Sequence, residues 1–422
     1  MSRLWRMLLI AALVCGLLPA APALADVTLP PNCQEIDPDL NPSTPEIYLV
    51  CLPLAVPPQF DVVVFAHGYV PPGAPMTKYY EQLQLSDGQF LPLVANGLGY
   101  VYASTSYHKN GLAVKEGLAD TVQLVQWLKG AYPGRVRYVY LIGASEGGLI
   151  TTLAAEKYPQ AFNGGLALCG PIGDFRSQLN YWGDFRVLFD YFYPDVLPPT
   201  AVNIPASAIA QWETVLAPQI AGLIGNPANQ HTTEQLLKTS RAPIDLANPG
   251  PTAVETTVGI LSYNILATNE GKLELGGQPF DNRLKWYVGS DNDVKLNGLN
   301  GVQRFRAQLP LSSLLDIQRN YQTTGKLAMP LVTMHTTGDP IVPYWHETLY
   351  NAKALFGGSV LKHVNIPVLR YGHCNFKTQE ALVGFALMVR MATGKLPEGI
   401  ATVLNTPELQ KGYADLMQQY QP

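Results

Sequence analysis

Three residues in this chain have the types and placement that acyl transfer requires: Ser145 within Gly143-Ala144-Ser145-Glu146-Gly147, Asp339 after Thr336-Thr337-Gly338, and His373 within the stretch RYGHCNF. A serine hydroxyl is a poor nucleophile near neutral pH. It needs a neighbouring base to take its proton and a carboxylate to orient that base. The pattern G-x-S-x-G is short enough to occur in many unrelated proteins, so its flanks decide its meaning. Ser145 follows the apolar run VYLI and precedes GLITTLAAEKY, a strand, a sharp turn and a helix, which is the setting that lifts a serine hydroxyl clear of a sheet edge. Side chains at Gly143 and Gly147 would collide across such a turn, whose serine takes a strained backbone.

The base and the acid should stand at the carboxyl ends of later strands. Asp339 directly follows the strand pattern LVTMH, and His373 follows the last strand pattern; the order Ser145, Asp339, His373 is the one expected for this arrangement. His335 is the nearest rival base, and Asp174 is the fallback acid. His67, His108, His231, His346 and His363 lack the placement. The developing oxyanion needs donors, expected from the backbone N–H of Glu146, next after the serine, and of Tyr69, after His67-Gly68. For the Glu146 side chain, a solvated or helix-N-terminal carboxylate is expected ahead of electrostatic tuning of the site.

These residues need a frame. Residues 61–66 (DVVVFA), 100–106, 137–142, 165–169, 330–334 and 360–366 read as strands, the first a β-branched apolar run of the kind buried in parallel sheets. Residues 116–130, 148–158, 346–356 and 378–392 read as helices, with Leu118, Val122, Val125 and Leu128 on one face of the first. Alternation of strand and helix predicts an α/β fold with a mostly parallel central sheet flanked by helices. It breaks after Gly170 and resumes at Pro330, so residues 26–170 and 329–422 are expected to form the core, and 171–328 a large, mainly helical lid insertion with helical patches at 206–222 and 253–267.

HGY after a strand, GASEGG at the turn, TTGDPIVP with the acid and YGHCNF with the base together resemble the α/β-hydrolase superfamily, over almost all of the chain outside its N-terminal segment and the insertion. The resemblance implies a serine hydrolase of carboxylesterase type that needs no cofactor and no metal. His373-Cys374 is also similar to the tannase and feruloyl esterase pattern, in which a cysteine beside the histidine bonds to one beside the serine. Here Ala144 precedes Ser145, so that pattern is broken; a Cys169–Cys374 bridge would stiffen the histidine loop by another route.

The insertion opens with YWGDFRVLFDYFY, residues 181–193, in which seven of thirteen residues are aromatic. Packing of the insertion onto the sheet is one reading. The other is an apolar roof over the serine, with Tyr181, Trp182 and Phe185 as substrate-binding candidates, suited to an acyl chain, an aromatic ester or a polyester segment. The expected function is hydrolysis of small or polymeric carboxylic esters through an acyl-enzyme. Rival readings are a peptidase like the prolyl oligopeptidases, against which the lack of a repeated propeller pattern counts, and a non-catalytic binding protein on the same scaffold, against which the complete triad counts.

Composition bounds the rest. With 422 residues, 47% hydrophobic and 14% charged, the chain can bury a large core, and a formal net charge of −4 offers nucleic acid no broad positive field. Arg3 and Arg6, the apolar run 7–18 and Ala23-Leu24-Ala25 predict a signal peptide, residues 1–25, cleaved after Ala25. The run is short of a membrane span, so a secreted or periplasmic protein without a stable membrane anchor is expected. Cys33, Cys51, Cys169 and Cys374 then remain. Four cysteines in an exported chain favour two disulfides, with three possible connectivities; Cys33–Cys51 is the preferred local pair, which leaves Cys169–Cys374. Two buried thiols are the alternative, and the absence of CxxC or paired-histidine spacing disfavours zinc. The stretch DNDVKLNG (291–298) has a lysine where a calcium loop needs oxygen.

Overall fold

A computed structural model describes residues 29–38, 46–403 and 406–420. The expected leader and its cleavage site lie outside the described residues. Among those described, no helix is long and apolar enough to cross a membrane.

Among the described residues eight strands form one sheet: β1 (Cys33–Ile36), β2 (Tyr48–Cys51), β3 (Phe60–Ala66), β4 (Val101–Thr105), β5 (Val136–Ala144), β6 (Gly164–Leu168), β7 (Leu331–Gly338) and β8 (His363–Tyr371). Their order is β1-β2-β4-β3-β5-β6-β7-β8. β2 runs antiparallel to both β1 and β4; from β4 to β8 every pairing is parallel. Neither β1, CQEI, whose apolar signal is weak, nor β2, YLVC, a fully buried apolar run, is among the strands expected from the sequence. The sheet recruits them, and Cys33 and Cys51 sit opposite each other in register and form a disulfide.

The helices are α1 (Leu91–Gly97), α2 (Val114–Ala131), α3 (Glu146–Lys157), α4 (Phe175–Phe192), α5 (Ala206–Gln211), α6 (Ala217–Ile224), α7 (Gln230–Ser240), α8 (Pro249–Glu274), α9 (Asp293–Asn297), α10 (Leu311–Asn320), α11 (Trp345–Phe356), α12 (Thr378–Thr393), α13 (Ile400–Val403) and α14 (Pro407–Tyr420). Strand side chains alternate between faces. On β3, Val62, Val64 and Ala66 join Leu124, Leu128, Leu149 and Leu153 of α2 and α3 in one core. Val63 and Phe65 face Ala95 of α1 and Phe385 of α12. A sheet covered on both sides explains why its strands read as continuous apolar runs.

The observed elements depart from the sequence reading mainly at their ends. The last strand begins at His363, after a 3-10 turn at Val360–Lys362, and runs on to Tyr371, directly before the histidine loop. The helical patch at 206–222 is two helices joined by a π-turn at Trp212–Leu216. The patch at 253–267 is the middle of the 26-residue α8.

Helices α4 to α10 lie in the chain between β6 and β7. Most of them share a second core, with Phe185, Phe189, Trp212, Ile220, Leu236 and Ile260 all 0–1% exposed, while Phe175 of α4 and Ile317 of α10 join the core of the sheet. α4 starts at Asp174, whose carboxylate accepts the N–H of Ser177 as a cap.

Candidate active site

Sheet order locates the site before any side chain is considered. From β3 the chain steps to β4 on one side, then returns to place β5 on the other. At such a reversal the loops after the two central strands diverge and leave a crevice outside the strands' carboxyl ends. The loop after β3 is His67-Gly68-Tyr69; the turn after β5 holds Ser145.

Ser145 has φ 56° and ψ −118°, a conformation a side chain adopts only when the surroundings enforce it. The surroundings are tight: a Cβ at Gly143 would run into the carbonyl of Gly147, and one at Gly147 into the carbonyl of Ala66. The N–H of Ser145 donates to Leu168 O on the neighbouring strand at 2.9 Å. With the backbone pinned, Oγ lies 2.9 Å from His373 Nε2, and His373 Nδ1 lies 2.7 Å from Asp339 Oδ2. A carboxylate only accepts, so Nδ1 carries the proton and Nε2 is free to take one from Ser145. The chain thus brings residues 145, 339 and 373 into one hydrogen-bonded line.

Asp339 is fully buried. Burial alone would raise its carboxyl, but the imidazoles of His373 and His335 override this and hold it down at about 2. Its other oxygen accepts the N–H groups of Ile341 and Val342 at 2.9 and 3.0 Å. His335 is therefore no rival to His373. It supports the acid from another side: Nε2 lies 3.3 Å from Asp339 and 2.6 Å from Val342 O, and Nδ1 lies 3.3 Å from Glu347. Burial disfavours charge on this imidazole, yet the two carboxylates hold it up to about 10. Asp174, the fallback acid, is instead occupied in capping α4 and in accepting from Gln322.

The loop after β3 is held by residues whose part in the site no sequence signal reveals. His67 lies between the rings of Tyr79 and Tyr107, with centroids 4.7 and 3.9 Å away, and its Nδ1 is 2.7 Å from Gly68 O. Burial keeps it neutral, with its pKa lowered to about 4. A peptide's C=O and the following N–H point opposite ways, so anchoring Gly68 O to His67 turns the Tyr69 N–H away from that ring. From the other side Gln82, at the end of the 3-10 turn Met76–Gln82, accepts the Gly68 N–H at 2.7 Å and donates to Tyr69 O at 3.2 Å. The second expected donor, the N–H of Glu146, is in the first turn of α3, whose N–H groups have no partner within the helix.

Of the two expectations for the Glu146 side chain, the place at a helix N-terminus holds and solvation does not. Glu146 is 7% exposed, lines the cavity beside Ser145 and accepts the N–H of Ala113 at 2.7 Å. Burial raises its pKa to about 8; the Ala113 N–H works against that shift and Glu270 adds to it.

That cavity, about 980 Å³ including its mouth, is bounded by Ser145, Leu149 and Val342 of the core and by Trp182, Tyr263 and Phe280 of the insertion. Of the three aromatic candidates only Trp182 lines it, stacked on Tyr263 at 4.7 Å. Tyr181 donates its hydroxyl to Pro340 O at 2.8 Å, and Phe185 is wholly inside the insertion's own core. On a helix, burial of one stripe against neighbouring helices decides which aromatics remain for a ligand, and Tyr263, 78 residues beyond Phe185, takes the place expected of it.

Cys169 and Cys374 form a disulfide between the ends of β6 and β8. Cys169, His373 and Cys374 cluster closely enough to hold a metal ion, but the sulfurs are bonded to each other and His373 is engaged with Ser145.

A family model described as serine aminopeptidase, S33, matches residues 57–239. The chain is 36% identical over 91 residues to the lysosomal Pro-X carboxypeptidase of Bos taurus and 34% identical over 91 residues to that of Homo sapiens. Each match spans 21% of this chain and only 17% of the relative. Among solved structures, feruloyl esterase B from Aspergillus oryzae aligns over 84% of this chain and 78% of its own at 15% identity and a TM-score of 0.46. Candida antarctica lipase A in its closed state aligns over 89% and 81% at 16% identity and a TM-score of 0.42. With an eight-stranded, mostly parallel sheet in the order described, flanking helices, a strained serine turn after β5 and the match over residues 57–239, the chain has the α/β-hydrolase fold.

Proposed function

We propose that the protein hydrolyses carboxylic esters, with Ser145 as nucleophile, His373 as general base and acid, and Asp339 as the group that orients His373. The observation that carries this reading is the unbroken line from Ser145 Oγ through His373 to Asp339, opening on a cavity with predominantly apolar walls. Ser145 Oγ attacks the ester carbonyl carbon while its proton passes to His373 Nε2. The N–H groups of Tyr69 and Glu146 receive the oxyanion. Collapse breaks the bond to the alcohol oxygen, which takes the proton from His373. Water then attacks the acyl-enzyme, giving its proton to His373, and the acid leaves as Ser145 recovers its hydrogen.

A peptidase reading is supported by the 91-residue match to Pro-X carboxypeptidases and by Glu146, a buried carboxylate next to the nucleophile. The apolar lining favours esters. Two disulfides support work in an oxidising, extracytoplasmic compartment, in keeping with the leader expected from the sequence.

The test is turnover of p-nitrophenyl butyrate and of an aminoacyl-proline p-nitroanilide by the wild type and Ser145→Ala. The expected result is ester turnover that falls by about 10⁴-fold or more in the variant, with the anilide a poor substrate. Preference for the anilide would transfer the reading to the peptidase, and equal ester turnover by the variant would remove Ser145 from the mechanism.

A further inference from the structure

Ser145 stands between two spaces. The cavity beneath the insertion includes Ser145 and Glu146 but not His373. A separate cleft contains Ser145, Gly68 and Gln82 together with His373, Cys374 and Phe376. If the ester-hydrolase reading holds, on which this inference rests, the two spaces have different occupants. The group that protonates the leaving oxygen has to touch it, so the alcohol half of the substrate belongs on the His373 side and the acyl half beneath the insertion.

The cleft has an apolar inner end. Phe65, Leu85, Leu91 and Leu168 line it, and the same four side chains also line another pocket, of about 520 Å³ including space open to solvent. This inner cavity lies between the sheet face that carries Val63 and Phe65 and the helices α1 and α12, represented by Ala95 and Phe385. Tyr102 brings the only polar group among its lining side chains. An apolar pocket that shares four lining side chains with the active-site cleft is a candidate for the apolar part of a substrate.

We propose that the inner cavity is a tail site for the alcohol moiety, and that the substrates it serves are esters of unbranched long-chain primary alcohols. A gap between a sheet and two helices, with Leu85 and Leu91 shared between it and the cleft, suits a methylene chain better than a ring system. Its lining can reward each methylene that enters but cannot hydrogen-bond a sugar or a peptide. Burying a methylene is worth about fourfold in binding, and this benefit should stop where the cavity is blocked.

The experiment measures kcat/KM on ethyl butyrate and octyl butyrate by proton release, for the wild type, Ser145→Ala, Ala95→Phe and the milder Ala381→Leu. Both fillings narrow the inner cavity, and ethanol is too short to reach it. The wild type should prefer the octyl ester by at least about 10-fold; Ala95→Phe should erase that preference while ethyl butyrate turnover stays within about twofold. 1-Octanol should raise the melting temperature of the wild type and not that of Ala95→Phe. If Ala95→Phe does not fold, the same comparisons on Ala381→Leu decide. A wild type that is indifferent to alcohol length, or a filled variant that retains both the preference and the octanol shift, overturns the tail site. Ethyl ester turnover that survives in Ser145→Ala, or no ester turnover at all, overturns the parent reading instead, and the octanol melting shift then judges the cavity independently of catalysis.

Discussion

The sheet edge that carries Ser145, Asp339 and His373 and the helical insertion between β6 and β7 meet at one seam but solve different problems. At the sheet edge, backbone geometry places the chemistry. Each residue follows a strand end, and parallel pairing aligns those ends, so residues 228 positions apart meet at 2.9 Å. In the insertion, packing comes first, and most of its aromatic content disappears into a core of its own. Part of the seam bears on Asp339. From α4, Gln178 and Trp182 both donate to Ile341 O, at 2.8 and 3.0 Å, and Tyr181 donates to Pro340 O. These carbonyls belong to the loop whose N–H groups hold Asp339. Through these bonds the insertion holds the loop of Asp339 without a hydrogen bond to Ser145, so, on the proposed function, it can act on the chemistry through the loop alone.

Three substitutions break or sharpen that contrast. Ile220→Ala removes a fully buried side chain of α6 in the insertion core and should cost about 2–5 kcal/mol of stability. If the insertion core is energetically its own, kcat/KM at 15 °C should stay within about twofold while the melting temperature falls; a parallel collapse of turnover would make the two regions one.

Glu146→Gln tests the sheet edge. Burial lifts the Glu146 pKa from 4.5 to about 8, so between those values the folded chain keeps a proton that the unfolded chain has lost. Glu146 therefore makes stability fall as pH rises from about 4.5 through about 8. A glutamine can still accept the Ala113 N–H, and it removes this linkage. The variant should melt several degrees above the wild type at pH 8.5 and level with it near pH 4.5; the same difference at both pH values would show that the carboxyl does not titrate in that window.

The smallest effect belongs to the seam. Tyr181→Phe deletes one hydrogen bond to the acid's loop, worth about 1 kcal/mol, and should lower kcat about fivefold with KM nearly unchanged. A change in KM alone would return Tyr181 to the substrate-binding role expected of it from the sequence.

The contrast also explains what was legible in advance. Gly143 and Gly147, the apolar runs before Ser145 and Asp339, and the chain order of the three residues all carry local signals, because a strand–turn–helix leaves its mark within a dozen residues. Gln82 carries none. Nothing near it in the sequence says that its amide reaches a glycine 14 residues earlier, because that contact depends on how a 3-10 turn packs against the loop after β3. His335 was legible as a histidine close to the acid but not as its second support, since period-2 alternation of a strand does not say what packs against each face.

By itself the sequence determined the fold class and the serine turn, and it placed Asp339 and His373 after strands of a parallel sheet, because these follow from hydrophobic periodicity and turn chemistry along the chain. Tertiary structure alone decided that the Glu146 side chain is buried, and that Trp182 with Tyr263, rather than Tyr181 and Phe185, lines the cavity. Each of these is a question of which surface is removed from water and by what. Burial is a property of packed elements far apart in sequence, so only the assembled fold could answer it.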